Sequence, residues 1–203
     1  MKKFNFMKLK INNNLYIIII LIFGLSACES KYSKLVKREL TSNVKNDSLL
    51  LGLKFNQTKQ DFFDICQELN YKKLIKQGPE NRFAEYTIKS NNSKESSIQM
   101  LFYGIFDKQN IMTGLNMRFS YNAWAPWNKN LYAEKLMPRI KDTIQKWFPG
   151  NTFIKINAKK LAQKVFVKVD GNRQIKMYTL NDKQVVVKIE DLDKKREYNG
   201  HSK

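Results

Sequence analysis

Histidine is almost missing from this chain: the one example, His201, stands third from the end. Without histidine in the body of the sequence, no Ser/His/Asp or Cys/His pairing and no zinc-ligand cluster can be assembled. Cysteine is nearly as scarce, with Cys28 and Cys66 only. A disulfide-stapled scaffold is excluded, and the fold must stand on packing. Arginine is rare among the bases, six of 37, whereas acids number 18 and the formal net charge is +19. A basic surface of this kind attracts anionic partners such as phospholipid headgroups or lipopolysaccharide. Nucleic acid is disfavoured, because the bidentate phosphate and guanine contacts of such readers are made by arginine. The abundance of Lys, Asn and Ile equally fits codon bias in an AT-rich genome. Carboxylates with a metal-loop spacing are also lacking; Asp170-Gly171-Asn172 has no companion ligands and reads as a turn. No cofactor is expected.

Long hydrophobic runs are absent too. The one apolar stretch, Leu15 to Ala27, has thirteen residues, whereas a membrane-spanning helix takes about 20. Lys2, Lys3, Lys8 and Lys10 precede it without any acid, and small residues close it at Ser26 and Ala27, which is the layout of a secretory signal. Leu25-Ser26-Ala27-Cys28 resembles the lipobox of bacterial lipoproteins. That resemblance implies a diacylglyceryl thioether on Cys28, cleavage of residues 1–27, and a lipid-anchored protein of the cell envelope whose first partner is the membrane itself. Glu29, rather than Asp, follows the lipidated cysteine, and by the enterobacterial sorting pattern this implies the outer membrane.

With Cys28 lipidated, Cys66 is the sole remaining thiol. Residues 28–47 are polar and lysine-rich and read as a tether, with a short helix around Ser33 to Leu40. Residues 48–192 are long enough for one domain with a core of its own, and residues 193–203 read as a disordered polar tail. Within the domain, Leu49 to Phe55 reads as extended. Thr58 followed by Asp61 caps a helix from Lys59 to about Ile75, and in it Phe62, Ile65, Cys66 and Leu69 share the buried stripe. Strands are predicted at 82–89, 98–106 and 111–121, the last two joined by Asp107-Lys108-Gln109-Asn110. In the third, Leu115, Met117, Phe119 and Tyr121 alternate with Asn116, Arg118 and Ser120, the pattern of a half-buried strand. A second helix is predicted over 131–148 with a kink or restart at Pro138, followed by strands at 152–156, 161–169, 173–180 and 184–190.

The order helix, three strands, helix, three or four strands indicates an α+β fold: an antiparallel sheet with helices packed on one face and a duplicated helix-plus-three-strand unit. The opening Leu53-Lys54-Phe55-Asn56-Gln57-Thr58-Lys59-Gln60-Asp61 is similar to the start of the first helix in two exported groups, the tandem helix-plus-sheet inhibitors of β-lactamase and the small outer-membrane assembly lipoproteins, though without their Gly-Met before the cap. The C-terminal strands are predicted to pair through a three-residue loop, 170–172, with Val167 opposite Ile175, and through the loop 181–183, with Met177 opposite Val187. This register sets Val165, Val167, Ile175, Met177, Val185, Val187 and Ile189 toward the helices, and Lys164, Lys168, Lys176 and Lys188 outside.

For function, Tyr121, Trp124 and Trp127 lie in or beside one connection between strand and helix, where loops commonly carry binding. They are the candidate platform for an envelope protein or a glycan. The residues thus favour a noncatalytic binding or assembly module. The alternative is a carboxylate-based envelope hydrolase using Asp61, Asp64, Glu68 or Glu85 as acid and base.

Overall fold

The computed structural model describes residues 30–90, 95–158 and 163–195; Cys28, the signal segment and all but the start of the expected tail lie outside them. Among the described residues, helices α1 (Lys31–Thr41), α2 (Lys59–Tyr71) and α3 (Ala133–Trp147) accompany eight strands: β1 (Lys76–Gln77), β2 (Ala84–Ile88), β3 (Ile98–Phe106), β4 (Met112–Tyr121), β5 (Ile154–Ala158), β6 (Gln163–Asp170), β7 (Arg173–Thr179) and β8 (Val185–Asp191). All eight join one antiparallel sheet in the order β1-β2-β3-β4-β8-β7-β6-β5. The α+β class is as expected from sequence. Each unit is a helix followed by a four-stranded meander. The last strands of the two units, β4 and β8, pair antiparallel at the centre with Met117 opposite Val187, as a twofold axis normal to the sheet requires.

Local chemistry explains the helices. Thr58 and Asp61 form a full capping box: the Asp61 N–H donates to Thr58 Oγ1 at 3.1 Å, and the Thr58 N–H donates back to Asp61 Oδ2 at 2.8 Å. Lys73, with a φ of 56°, stops α2 four residues earlier than the apolar spacing predicts, which frees the chain to cross to the sheet edge. Helix α3 runs unbroken through Pro138. The expected extended segment 49–55 instead folds back on itself through Leu51 and Gly52, both at positive φ, with Ser48 bridged to Lys54.

One face of the sheet carries the main core. Met100 and Phe102 of β3, Leu115, Met117 and Phe119 of β4, Val185, Val187 and Ile189 of β8, and Ile175 and Met177 of β7 meet Leu136, Ile140 and Ile144 of α3 and Phe62 of α2. Each such side chain, fully buried, contributes roughly 1.5–3 kcal/mol. Ala84, Tyr86 and Ile88 pack on the same side, as their alternation predicts. A bulge in β4, opposite Ile105 and Phe106 of β3, brings Met112 onto this face, where unbroken alternation back from Leu115 would put Ile111.

Two expectations are corrected on the opposite face. The turn between β6 and β7 has two residues, because Asp170 pairs with Arg173 and Val167 with Lys176. Gly171 comes first in that turn at a φ of 57°, the position glycine takes in a type II′ hairpin. A Cβ there would lie 2.1 Å from the Val44 carbonyl oxygen, so the site needs glycine for space as well as for φ. The shift by one residue turns Val165, Val167 and Val169 away from the main core and sends Lys168 inward, fully buried. The segment expected as a tether then covers those valines. Ser30 caps α1 by accepting from the Ser33 N–H at 3.0 Å, and Tyr32, Leu35, Val36 and Leu40 close a second apolar cluster with Val165, Val167, Val169 and Leu192. The register between β7 and β8 is as predicted, with Met177 opposite Val187 and Thr179 opposite Val185.

Candidate functional site

The aromatic connection does not form a platform. Tyr121 is a core residue with its ring under Arg139 at 5.7 Å. Trp124 folds back on the core beside Tyr132, beneath the Lys183 ammonium at 5.4 Å. Only Trp127, 84% exposed, projects outward. The alternation in the sequence already sets Tyr121 on the apolar face of β4, and that placement, not the shared connection, decides where its ring goes.

The four candidate carboxylates also stay apart. Asp61 is spent on its capping box, and that bond to Thr58 holds its carboxyl below the usual range. Asp64 accepts from Gln60 at 2.8 Å, and Glu68 pairs with Lys72 one turn on. Glu85 lies on the opposite side of the sheet from α2 and pairs with Lys76 at 2.9 Å. Acid and base work needs two groups facing one substrate, and this arrangement supplies no such pair. Burial pushes the Cys66 thiol up to about 11, away from the thiolate a nucleophile needs. Among the described residues, no group of three or more His, Cys, Asp and Glu could hold a metal ion.

Buried charge is concentrated at the β6–β7 turn. Lys168 Nζ donates to the Asn151 carbonyl at 2.6 Å and lies 3.2 Å from Asp170 Oδ2, while Asp170 Oδ1 accepts from the Asn151 N–H at 2.7 Å. Arg173 completes the cluster, its guanidinium 4.8 Å over the Phe148 ring and donating to the Ser48 carbonyl. Burial lowers the Lys168 pKa, and Asp170 offsets that in part. The three charged side chains of this cluster are all buried. The cluster ties together the end of α3, the turn and the strap before α2, so its role is structural.

Two features do face outward. Helix α1 shows solvent a basic side, Lys31, Lys34, Lys37 and Arg38, opposite its apolar one. At the far edge of the sheet, an open cleft of about 800 Å³ runs between the end of α2 and strand β2. Tyr71 and Leu74, 76% and 51% exposed, form one wall; Thr87 of β2 and Lys89, just past its end, form the other, with Lys73 and Lys76 at the rim. The sequence reading missed this cleft because it ran α2 on to Ile75 and left no strand there. The outward placement of Tyr71, off the Phe62/Ile65/Leu69 stripe, was the available signal.

No family model and no curated protein matches the chain. Among solved structures it is similar to a DUF4309 family protein, YjgB, from Bacillus subtilis, at 14% identity and a TM-score of 0.30, over 77% of this chain and 93% of that one. That likeness is too loose to bear on fold or function.

Proposed function

We propose that this chain is a lipid-anchored protein of the cell envelope, held in the outer membrane through Cys28, that binds another envelope component and is noncatalytic. One observation carries the reading: α1 starts three residues after the lipobox-like cysteine and is itself part of the folded domain, with its basic side outward. Three residues reach at most about 10 Å, so acyl chains on Cys28 would bring the domain to the headgroups without a long spacer. Each lysine near an anionic leaflet then adds about 1 kcal/mol, beside about 0.8 kcal/mol for every buried acyl methylene. Among the described residues no helix is long and apolar enough to cross a membrane.

The test is acyl labelling and detergent partitioning of the wild type and of Cys28→Ser, with crosslinking in living cells. Labelling that vanishes in the variant, together with a captured envelope component, supports the proposal. Unchanged labelling removes the anchor, and turnover of peptidoglycan by the purified protein would favour the hydrolase.

A further inference from the structure

We infer that the cleft beside β2 binds an extended, acidic segment of a partner protein as an added strand. The inference rests on the binding-module reading above and names the chemistry of its partner. Strand β1 pairs only with Ala84 and Glu85 of β2, and among the described residues nothing pairs with the outer edge beyond Glu85. The Gly78 N–H donates to the Phe83 carbonyl at 2.8 Å, so Phe83 turns its backbone groups toward the β1 side. By the period of two, Thr87 and Lys89 do the same. Their N–H and C=O groups therefore line the cleft, and a free edge of this kind is the template for strand addition.

Charge selects the occupant. Lys73, Lys76 and Lys89 surround the opening, and Glu85 is already paired with Lys76. A second copy of this chain would bring the same lysines face to face, which is how edges are guarded against self-pairing. An acidic strand meets no such repulsion. Guarding alone does not account for Tyr71 and Leu74, which stand exposed beside the lysines. They offer an apolar wall to alternate side chains of an incoming strand.

Thr87→Pro is the diagnostic change. The N–H it removes faces the cleft, not β3, so the β2–β3 ladder keeps its bonds. The full lipidated protein in detergent is titrated with a labelled hexapeptide alternating glutamate and valine, and with its lysine and valine counterpart, by fluorescence anisotropy. Amide exchange is read at Thr87 and Lys89. Expected are saturable binding of the acidic peptide alone, slowed exchange at those two amides, weaker binding in added salt, and a loss of about tenfold or more in Thr87→Pro. Lys73→Glu with Lys89→Glu must give a comparable loss, which covers the case of a proline variant that fails to fold. Absence of saturable binding, equal binding of the lysine peptide, indifference to both variants, or self-association through this edge would overturn the inference. Acyl labelling of Cys28 on the same preparation separates failure of the anchor from failure of the edge.

Discussion

The two halves of the sheet have one plan and different surroundings. In the C-terminal half both faces are covered, by α3 on one side and α1 on the other, so β6 is buried on both. In the N-terminal half, among the described residues, only the α2 side is covered by a helix. Phe83, Tyr103 and Arg118 lie on its other face, where the two rings meet edge-on at 5.2 Å and the guanidinium sits 5.1 Å over Phe83. The helices differ in the same sense: α3 fully buries Ala133, Leu136, Ile140 and Ile144, α2 only Phe62. The duplicated plan thus has one half built for holding, next to the proposed anchor, and one half left open at face and edge.

That comparison can be broken most forcefully at the β6–β7 turn. Asp170→Asn leaves Lys168 and Arg173 as two buried cations without a carboxylate between them, and losing one partner of a buried charge group costs about 3–5 kcal/mol. Urea unfolding should show a loss of that size, with the same substitution at the exposed Asp64 nearly silent. A next step removes part of the second cover. Leu35→Ala should cost about 1–2 kcal/mol, below the range for a fully buried leucine because the site is half-buried. Amide exchange should speed up at Val165 to Val169 and stay unchanged in β2 and β3; an equal rise in both halves would refute the claim that α1 serves only one.

A smaller effect tests the seam between the halves. Burial disfavours the charge on Glu190, but Lys176 and Lys188, each 3.0 Å away, outweigh it and hold the carboxyl down at about 2 against an ordinary 4.5. A carboxyl lowered on folding adds stability that is complete above the unfolded value and is lost as the pH falls toward the folded one. The wild type should therefore lose stability relative to Glu190→Gln between about pH 4.5 and 2, on the order of 1–2 kcal/mol once solvent screening is allowed for. Taking the difference between the two proteins removes the opposite contribution of Asp191, whose pKa burial raises.

The same contrast explains which parts of the fold were legible in the sequence. Strand β4 alternates cleanly from Leu115 to Tyr121 because one of its faces is half-open, and those facing residues read off directly; the bulge that substitutes Met112 for Ile111 at its start did not. Strand β6 alternates too, Val165, Val167 and Val169 against Lys164, Phe166 and Lys168, but periodicity says only which residues share a side, not which of two covered faces that side meets. With helices expected on one face alone, the valines were assigned to it and Lys168 to solvent. In 28–47 the helix itself was expected, around Ser33 to Leu40, but the polar look of the segment hid its packing: four apolar residues, Tyr32, Leu35, Val36 and Leu40, suffice only because a row of valines waits for them. The expected aromatic site dissolved because Tyr121 and Trp124 are both held by the core, and nothing in the sequence of a connection shows which of its rings turn inward. The cleft could not be foreseen, since it is made by the early end of α2 and by the shortness of β1.

The last and smallest effect asks how loosely α2 is held. Cys66 lies on its inner stripe but is only half-buried, beside Ile65 and Leu69, which also pack partly against the core. With the thiol pushed up to about 11, little thiolate exists near neutral pH, and a maleimide should react slowly in the folded protein and fast in denaturant. Cys66→Ala should cost about 1 kcal/mol or less, because a half-buried sulfur leaves a cavity that neighbours and water can fill. The informative quantity is the labelling rate in mild denaturant. If α2 opens on its own, Cys66 should become reactive before global unfolding, whereas a cysteine introduced at Ile144 of α3 should react only with it. Equal thresholds at the two positions would show that the open half is as firmly held as the closed one.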